Sequence, residues 1–528
     1  MCRPASLLGR RRAMKSGSAR VGFQAGLIAS AAAGLVMLFA RLAWGITTVP
    51  ELVLDQSTRA VPPTVFAFVL DRLQFAAKPL TLGAIVIGQL LVGGALGVLY
   101  EWRMAATLDR PATSRRALVI ATAGVLWAFT VLAVLPLAGA GIFGSALAEG
   151  PLAVSATLLV AVVVFALVLA LLAEWATVPG VQPAEPSALT RRSFLRALAT
   201  GSVAVVAAGF ALRALSLVSA NASATQSSRR PTASLPPEVT PTKDFYVVSK
   251  NFGDPVVDEA TWKLEITGLV ENPVTLTYAQ LTALPAVDDT VTLECISNEV
   301  GGNLISNARW RGVRFRELLA LAKPKPGVRK VVLVGADNYD DSIAFDRAMS
   351  PANLLAWEMN GEKLTPSHGF PARLLVPGIY GMKNVKWVTK INLVDYDYKG
   401  FWQVRGWSDE AYIKTMSRID VPGAVTTLPE GQTMVGGIAF SGDRGISQVE
   451  VSVDDGKTWK RATVGRPLSP YSWVLWALDW PATPGRYPLL VRAYDGSGAP
   501  QDSTSVESFP DGASGYHSIV VNIQPAQT

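Results

Sequence analysis

A chain of 528 residues exceeds what one hydrophobic core organises and suggests about three domains. Half of its residues are hydrophobic and its formal charge is +7, but the excess arginine lies beside apolar segments of the first ~215 residues, with no basic stripe interleaved with aromatics, which argues against nucleic-acid binding. Cys2 and Cys295 are the only cysteines and His368 and His517 the only histidines, both in the second half, so a bis-histidine haem among the apolar segments and a covalent C-x-x-C-H haem are excluded.

Five largely apolar stretches read as transmembrane helices, at about 21–40, 80–100, 117–137, 151–172 and 197–215, each near the ~20 residues that cross ~30 Å of hydrocarbon. Arg3, Arg10, Arg11, Arg12, Lys15 and Arg20 precede the first, Arg103, Arg110, Arg115 and Arg116 follow the second, and Arg191, Arg192 and Arg196 precede the fifth. The loop between the third and fourth carries no Lys or Arg. The positive-inside rule then places the N-terminus in the cytoplasm and everything after residue ~216 in the periplasm or outside the cell. The stretch "PTVFAFVLDRLQFAAKPL" reads equally as an amphipathic segment along the outer interface or as a plain loop. The spans show no obvious ionisable relay, and Arg41 and Arg213, near span ends, can snorkel. The five helices (residues 1–216) read most economically as an anchor, with a quinone site left open.

Residues 217–242 are rich in Pro and Ser without periodicity, as linkers are. From 243 to 420, short β-like runs such as "KVVLVGAD" and "WVTKINLVDY" mix with helical pieces such as "RFRELLALAK", which predicts an α+β domain. From 421 to 528 the pattern is all β, with a hairpin signal at Asp455-Gly456. Several strands in roughly 100 residues, with turns every 8 to 12, predict an immunoglobulin-like sandwich.

In "DDTVTLECISNEVGG", Cys295 ends a strand and enters a loop. It is the only cysteine expected outside the membrane, where an unshielded thiol oxidises unless it is buried or used as a ligand. By itself the residue fits a small core position as well as a site. Downstream, "SHGFPARLLVPGIYGMKNVKWVTKINLVDYDYKGF" gathers His368, Arg373, Lys383 and Lys386 around a glycine-bracketed turn. A soft thiolate with such cations suits a soft high-valent metal carried by an anionic organic phosphate.

The motifs "TLEC", "HGFPAR", "VPGIYGMKNVKWV" and "DYKGF", in that order, resemble the sulfite oxidase family of molybdenum enzymes over about residues 244–523. The resemblance implies a Mo-molybdopterin cofactor with Cys295 as the protein's metal ligand. It also implies cofactor contacts from Tyr246, Val247, Asp337, His368, Arg373, Asn384, Val385 and Lys386, and an active-site tyrosine at Tyr398. The sandwich resembles the family's dimerisation domain, which implies a homodimer. Sulfite-oxidising members carry three arginines where this chain has Val248, Val300 and Asp511, and relatives that reduce methionine sulfoxide keep an acidic residue where Ser297 stands. A small dianion needs charge-assisted donors, so the resemblance leaves substrate and direction open.

A cofactor inserted in the cytoplasm requires its domain to cross the membrane folded. "TRRSFL", Thr190 to Leu195, before a weakly apolar fifth span, has the twin-arginine pattern read by the machinery that exports folded proteins. The expectation is therefore a multi-pass protein of the plasma (inner) membrane whose exported catalytic domain transfers oxygen atoms on a small sulfur or similar compound. No haem being expected, electrons pass to or from an external carrier, cytochrome c-like or a quinone. A sulfoxide, S-oxide or N-oxide reductase is the alternative; a cofactor-free membrane-bound binding module is a second.

Overall fold

The computed structural model describes residues 7–61, 77–105, 112–147, 149–177, 235–251 and 254–525. The "TRRSFL" motif, the expected fifth span and residues 217–234 of the expected linker lie outside the described residues. The chain divides into two compact units, Met1–Val218 and Ser219–Thr528.

The first unit contains four helices long and apolar enough to cross a membrane, Ala19–Trp44, Leu80–Arg103, Ala117–Leu137 and Gly150–Ala173, where the first four spans were expected. Two of them approach backbone to backbone. A Cβ on Gly97 would lie 2.1 Å from the Gly22 carbonyl oxygen, and one on Gly26 would lie 2.2 Å from that of Gly93. Without a hydrophobic drive between helices in lipid, small residues that permit such closeness supply the packing. Gly97→Leu is expected to destabilise this bundle by about 1–3 kcal/mol or more through overpacking, read as a lower unfolding midpoint in detergent. Gly83→Leu is the control, because nothing lies within 4 Å of that position.

The short helix Val49–Ala60 starts with a reciprocal cap, in which the Thr48 side chain accepts from Glu51 N–H and Thr48 N–H donates to Glu51 Oε2 at 2.9 Å. Arg41 does not snorkel as expected; it is buried and pairs with Glu51 at 3.1 Å, because this helix brings a carboxylate to it. Glu101 is also buried, 6% exposed, and its Oε1 has no hydrogen-bond partner.

The second unit begins with an α+β region. One sheet orders its strands Val274–Thr277, Lys263–Gly268, Val388–Val394, Lys330–Gly335 and Asp340–Ala344. Another is built from Val287–Glu294, Ile305–Arg314, Leu354–Met359 and Glu362–Lys363, with Arg373–Leu375 added to Leu354–Met359. The helix Phe315–Ala322 buries Phe315, Leu318, Leu319 and Ala322, an i, i+3, i+4, i+7 stripe, in the core shared by both sheets.

Two further sheets, of four and five strands, form a β-sandwich around Val435, Val449, Val451, Trp476, Val491 and Val521. Its first strand, Met416–Val421, starts ahead of the expected boundary at 421 and pairs with Gly431–Phe440. The hairpin signal is realised where Asp455 and Gly456, both at positive φ, join Ile446–Ser452 to Lys460–Arg461.

Candidate active site

Alternation along the strand Val287–Glu294 puts Leu293 into a hydrophobic cluster and Glu294 on the opposite face, one residue before Cys295. The chain then turns sharply. Cys295 N–H donates to the Leu304 carbonyl at 2.9 Å, and the Cys295 carbonyl accepts from Asn298 N–H at 2.9 Å. Asn298 staples the loop, with Nδ2 donating to Glu294 Oε1 and Oδ1 accepting from Leu304 N–H, each at 2.9 Å. Arg418, on the first sandwich strand, holds the same loop by donating to the Gly302 carbonyl at 2.6 Å. Cys295 is thus fixed, 8% exposed, with Sγ 3.0 Å from the Ser297 hydroxyl.

Burial pushes the Cys295 thiol pKa up; hydrogen bonding to Ser297 opposes this, and the Glu294 carboxylate adds to it. A thiolate there needs a cation brought by a ligand, and a coordinated metal deprotonates a thiol outright. Burial likewise pushes Glu294 up to about 7, against the pull of Asn298 and Arg418, and its Oε2 has no hydrogen-bond partner.

A second group of residues is cationic. Arg373, 6% exposed, donates from Nη1 to the His368 carbonyl at 3.1 Å and lies 5.2 Å from the Trp310 ring, while its Nε has no partner. Lys386 donates to the Ser367 carbonyl at 3.0 Å and stands 4.0 Å over the Trp387 ring. The hydrogen bonds of both cations end on carbonyl oxygens, not carboxylates. Burial drags Arg373 down to about 10. Burial also takes Lys386 to about 8, with the Arg373 charge adding to the fall. His368 falls to about 4, first by burial and then by the charges of Arg373 and Lys386, so its ring is neutral. Its Nε2 lies 2.9 Å from the Thr242 carbonyl, which fixes the proton on Nε2. Desolvated cations served only by carbonyls are costly, and an anion placed among them offsets that cost.

Tyr246 links the two groups: burial raises its pKa, and Cys295, Arg373 and Glu294 all act on it electrostatically. Thiol, orphaned guanidinium nitrogen and partly buried ammonium therefore belong to one site, whose donor set fits a metal carried by a phosphate-bearing cofactor. Among the described residues no group of three His, Cys, Asp or Glu side chains gathers to hold a bare ion.

The other expected residues divide. Asp337 accepts from Asn251 Nδ2 at 2.7 Å and from Tyr339 N–H at 3.0 Å, within the electrostatic reach of Lys386. Asn384 and Val385 turn their side chains inward. Asn384 Oδ1 accepts from Val376 N–H at 2.7 Å, and Val385 is 1% exposed in the core, so both shape the loop from within. Val247 is partly exposed, at 36%. Tyr398 is placed beside Asp340, which together with burial raises its pKa to about 12, and its carbonyl accepts from Ser342 at 2.9 Å. The charged and polar groups acting on it are Asp340, Tyr396 and Asp341. Three neighbours escaped the sequence reading: Glu294, Asn298 and Tyr380. The first is signalled only by its place before the cysteine, and the last by its place in the glycine-bracketed turn.

Residues 251–402 match the family described as oxidoreductase molybdopterin binding domain, and residues 401–523 match the Mo-co oxidoreductase dimerisation domain. The chain is 32% identical over 276 residues to sulfite oxidase of Arabidopsis thaliana, covering 43% of this chain and 70% of that protein. It is 30% identical over 325 residues to nitrate reductase [NADH] 1 of Oryza sativa subsp. japonica, covering 49% of this chain and 35% of that one. A solved structure, the sulfane dehydrogenase SoxCD from Paracoccus pantotrophus, aligns with 25% identity and a TM-score of 0.49 over 55% of this chain and 85% of that chain.

Proposed function

The chain belongs to the sulfite oxidase family and is a molybdopterin-dependent oxidoreductase, and on that premise we propose that it is a membrane-anchored, exported enzyme whose metal ligand is Cys295. In this reading Arg373 and Lys386 hold the anionic end of the cofactor, neutral His368 offers Nδ1 as an acceptor, and Tyr246 borders both halves of the site. The unpartnered Arg373 Nε and the carbonyl-only partners of both cations carry the reading. The bound cofactor supplies two-electron oxygen-atom chemistry; the chain binds, orients and excludes water. The reaction conserves atoms as X + H2O → XO + 2 H⁺ + 2 e⁻, with the electrons delivered to an external cytochrome c-like carrier or a quinone. The four apolar helices and the expected fifth span at 197–215 serve as the anchor, with the N-terminus cytoplasmic and the catalytic domain outside, and "TRRSFL" hands the loaded domain to the folded-protein export route. The sandwich is read as immunoglobulin-like and as the homodimer contact.

The reverse direction, reduction of a sulfoxide or N-oxide, is favoured by one feature. By the family resemblance, the exposed Val248 and Val300, with Asp511, replace the arginines that a dianion would need. Purified protein is expected to contain one molybdenum per chain, and assays with sulfite and with methionine sulfoxide under one redox dye decide the direction. Protein that folds and remains free of molybdenum after expression with an intact cofactor pathway would refute the site assignment.

A further inference from the structure

We propose that Tyr380 is the substrate-facing hydrogen-bond donor of this site and that the sandwich holds its hydroxyl in place. The inference rests on Cys295 being the metal ligand, as proposed above.

Tyr380 is 3% exposed and sits in the turn between Val376 and Lys383. Its backbone is tied on the side toward the sandwich, N–H donating to the Ala411 carbonyl at 2.8 Å while Ile413 N–H donates to the Gly378 carbonyl at 3.1 Å. Its phenolic oxygen accepts from Lys414 N–H at 3.3 Å. Lys414 Nζ in turn donates to the Gly512 carbonyl at 2.6 Å, so one residue seats the phenol and the sandwich turn together. Gly512 has φ of 83°, and a Cβ there would lie 2.3 Å from the Tyr380 oxygen. The turn can therefore close on the phenol only as glycine.

With its oxygen occupied as an acceptor, the hydroxyl still has a proton to donate, and no acceptor for it is found among the described residues. The groups acting on the phenol besides burial include Glu294, Asp511 and Cys295. Burial and these negative groups push its pKa further above the ordinary phenol value, so it stays protonated and remains a donor. A buried donor near the candidate metal ligand, without an acceptor from its own chain, is arranged for an acceptor that arrives with the ligand. The ligand oxygen it suits is uncharged, such as that of a sulfoxide or N-oxide, because Glu294 and Asp511 flank the same phenol and oppose a dianion. The turn that carries Tyr380 borders the site: a Cβ on the next residue, Gly381, would lie 2.7 Å from the Tyr246 hydroxyl and 3.2 Å from the Glu294 carbonyl, while the Tyr380 hydroxyl is seated by Lys414 and Gly512.

The test compares wild type, Tyr380→Phe, Gly512→Ala and Tyr398→Phe as full-length protein in detergent, using dimethyl sulfoxide reduction by reduced viologen and sulfite oxidation by a dye. Tyr380→Phe is expected to keep its molybdenum and to lose on the order of a hundredfold in kcat/KM for the better substrate, the loss typical of one preorganised donor. Its molybdenum(V) resonance spectrum is expected to lose an exchangeable-proton coupling that wild type shows in ordinary water and not in heavy water. Gly512→Ala, which displaces the hydroxyl without removing it, is expected to weaken the same coupling. A Tyr380→Phe protein within about threefold of wild type, below the smallest loss expected of a donor, with the coupling unchanged, would overturn the proposal, as would a larger loss in Tyr398→Phe. Failure of the underlying site reading is told apart by Cys295→Ser retaining its metal.

Discussion

Cys295→Ser is expected to abolish turnover and remove most of the bound molybdenum while leaving the fold in place. The thiol is the only one among the described residues, and no described cation of the chain lowers its pKa. A serine hydroxyl is a hard, far less acidic donor and a poor replacement for a thiolate on a soft metal. Loss of groups that merely orient metal ligands typically costs 10–100-fold in affinity or activity, so loss of the ligand itself should exceed about a hundredfold. The swap barely changes volume, and Ser297 Oγ at 3.0 Å can partner the new hydroxyl, so stability should shift by less than about 1.5 kcal/mol. Metal analysis, dye-linked activity and unfolding midpoint on one preparation check all three. A fully loaded, active serine variant would sink the assignment of Cys295.

The four described apolar helices announce themselves as long apolar runs, and the lone cysteine of the second half stands out because nothing else there could be a thiolate ligand. His368, Arg373 and Lys386 could be picked out together because they fall within one short stretch. What could not be read is which side of each residue faces the ligand. Asn384 and Val385 lie in the expected loop, yet their side chains serve backbone groups and the core, since a turn alternates direction without the regular period of a strand. The resemblance singled out Tyr398 and passed over Tyr380. The seat formed around Tyr380 by Lys414 and Gly512 is long-range and has no trace in the local sequence. Arg41 was misread for the same reason, since its carboxylate partner arrives on the following helix.

Lys383→Met is expected to be the most destabilising single change in the catalytic unit, at about 3–5 kcal/mol, the cost of leaving one member of a buried pair behind. In sequence Lys383 passes for a solvated charge; in the fold it is 1% exposed. Its Nζ lies 2.9 Å from Asp341 Oδ1 and 3.0 Å from Asp409 Oδ1, and it donates to the Ser342 carbonyl at 2.9 Å. Asp409 would survive the loss, because Lys330 at 2.8 Å and Lys399 at 2.7 Å also pair with it. Asp341 would not: it is 1% exposed and Lys383 is its only ion-pair partner among the described residues, leaving the Ser342 N–H at 2.7 Å, the Tyr339 hydroxyl at 3.0 Å and Gln403 Nε2 at 3.4 Å. Burial already outweighs Lys383 and raises the Asp341 pKa above its ordinary 3.8, and without the lysine it rises further. A carboxyl whose folded pKa lies above its unfolded value stabilises the fold most below the unfolded value, and that contribution is lost as pH rises through the folded value. The Lys383→Met deficit should therefore be largest at neutral pH and shrink toward pH 4, and Asp341→Asn in the same chain should recover most of it. Because Lys383 closes the turn that leads to Lys386, cofactor retention should fall in parallel. A loss under about 1 kcal/mol at neutral pH, in the range of an exposed pair, would mean that water reaches Asp341 and that the loop is held by its backbone hydrogen bonds instead.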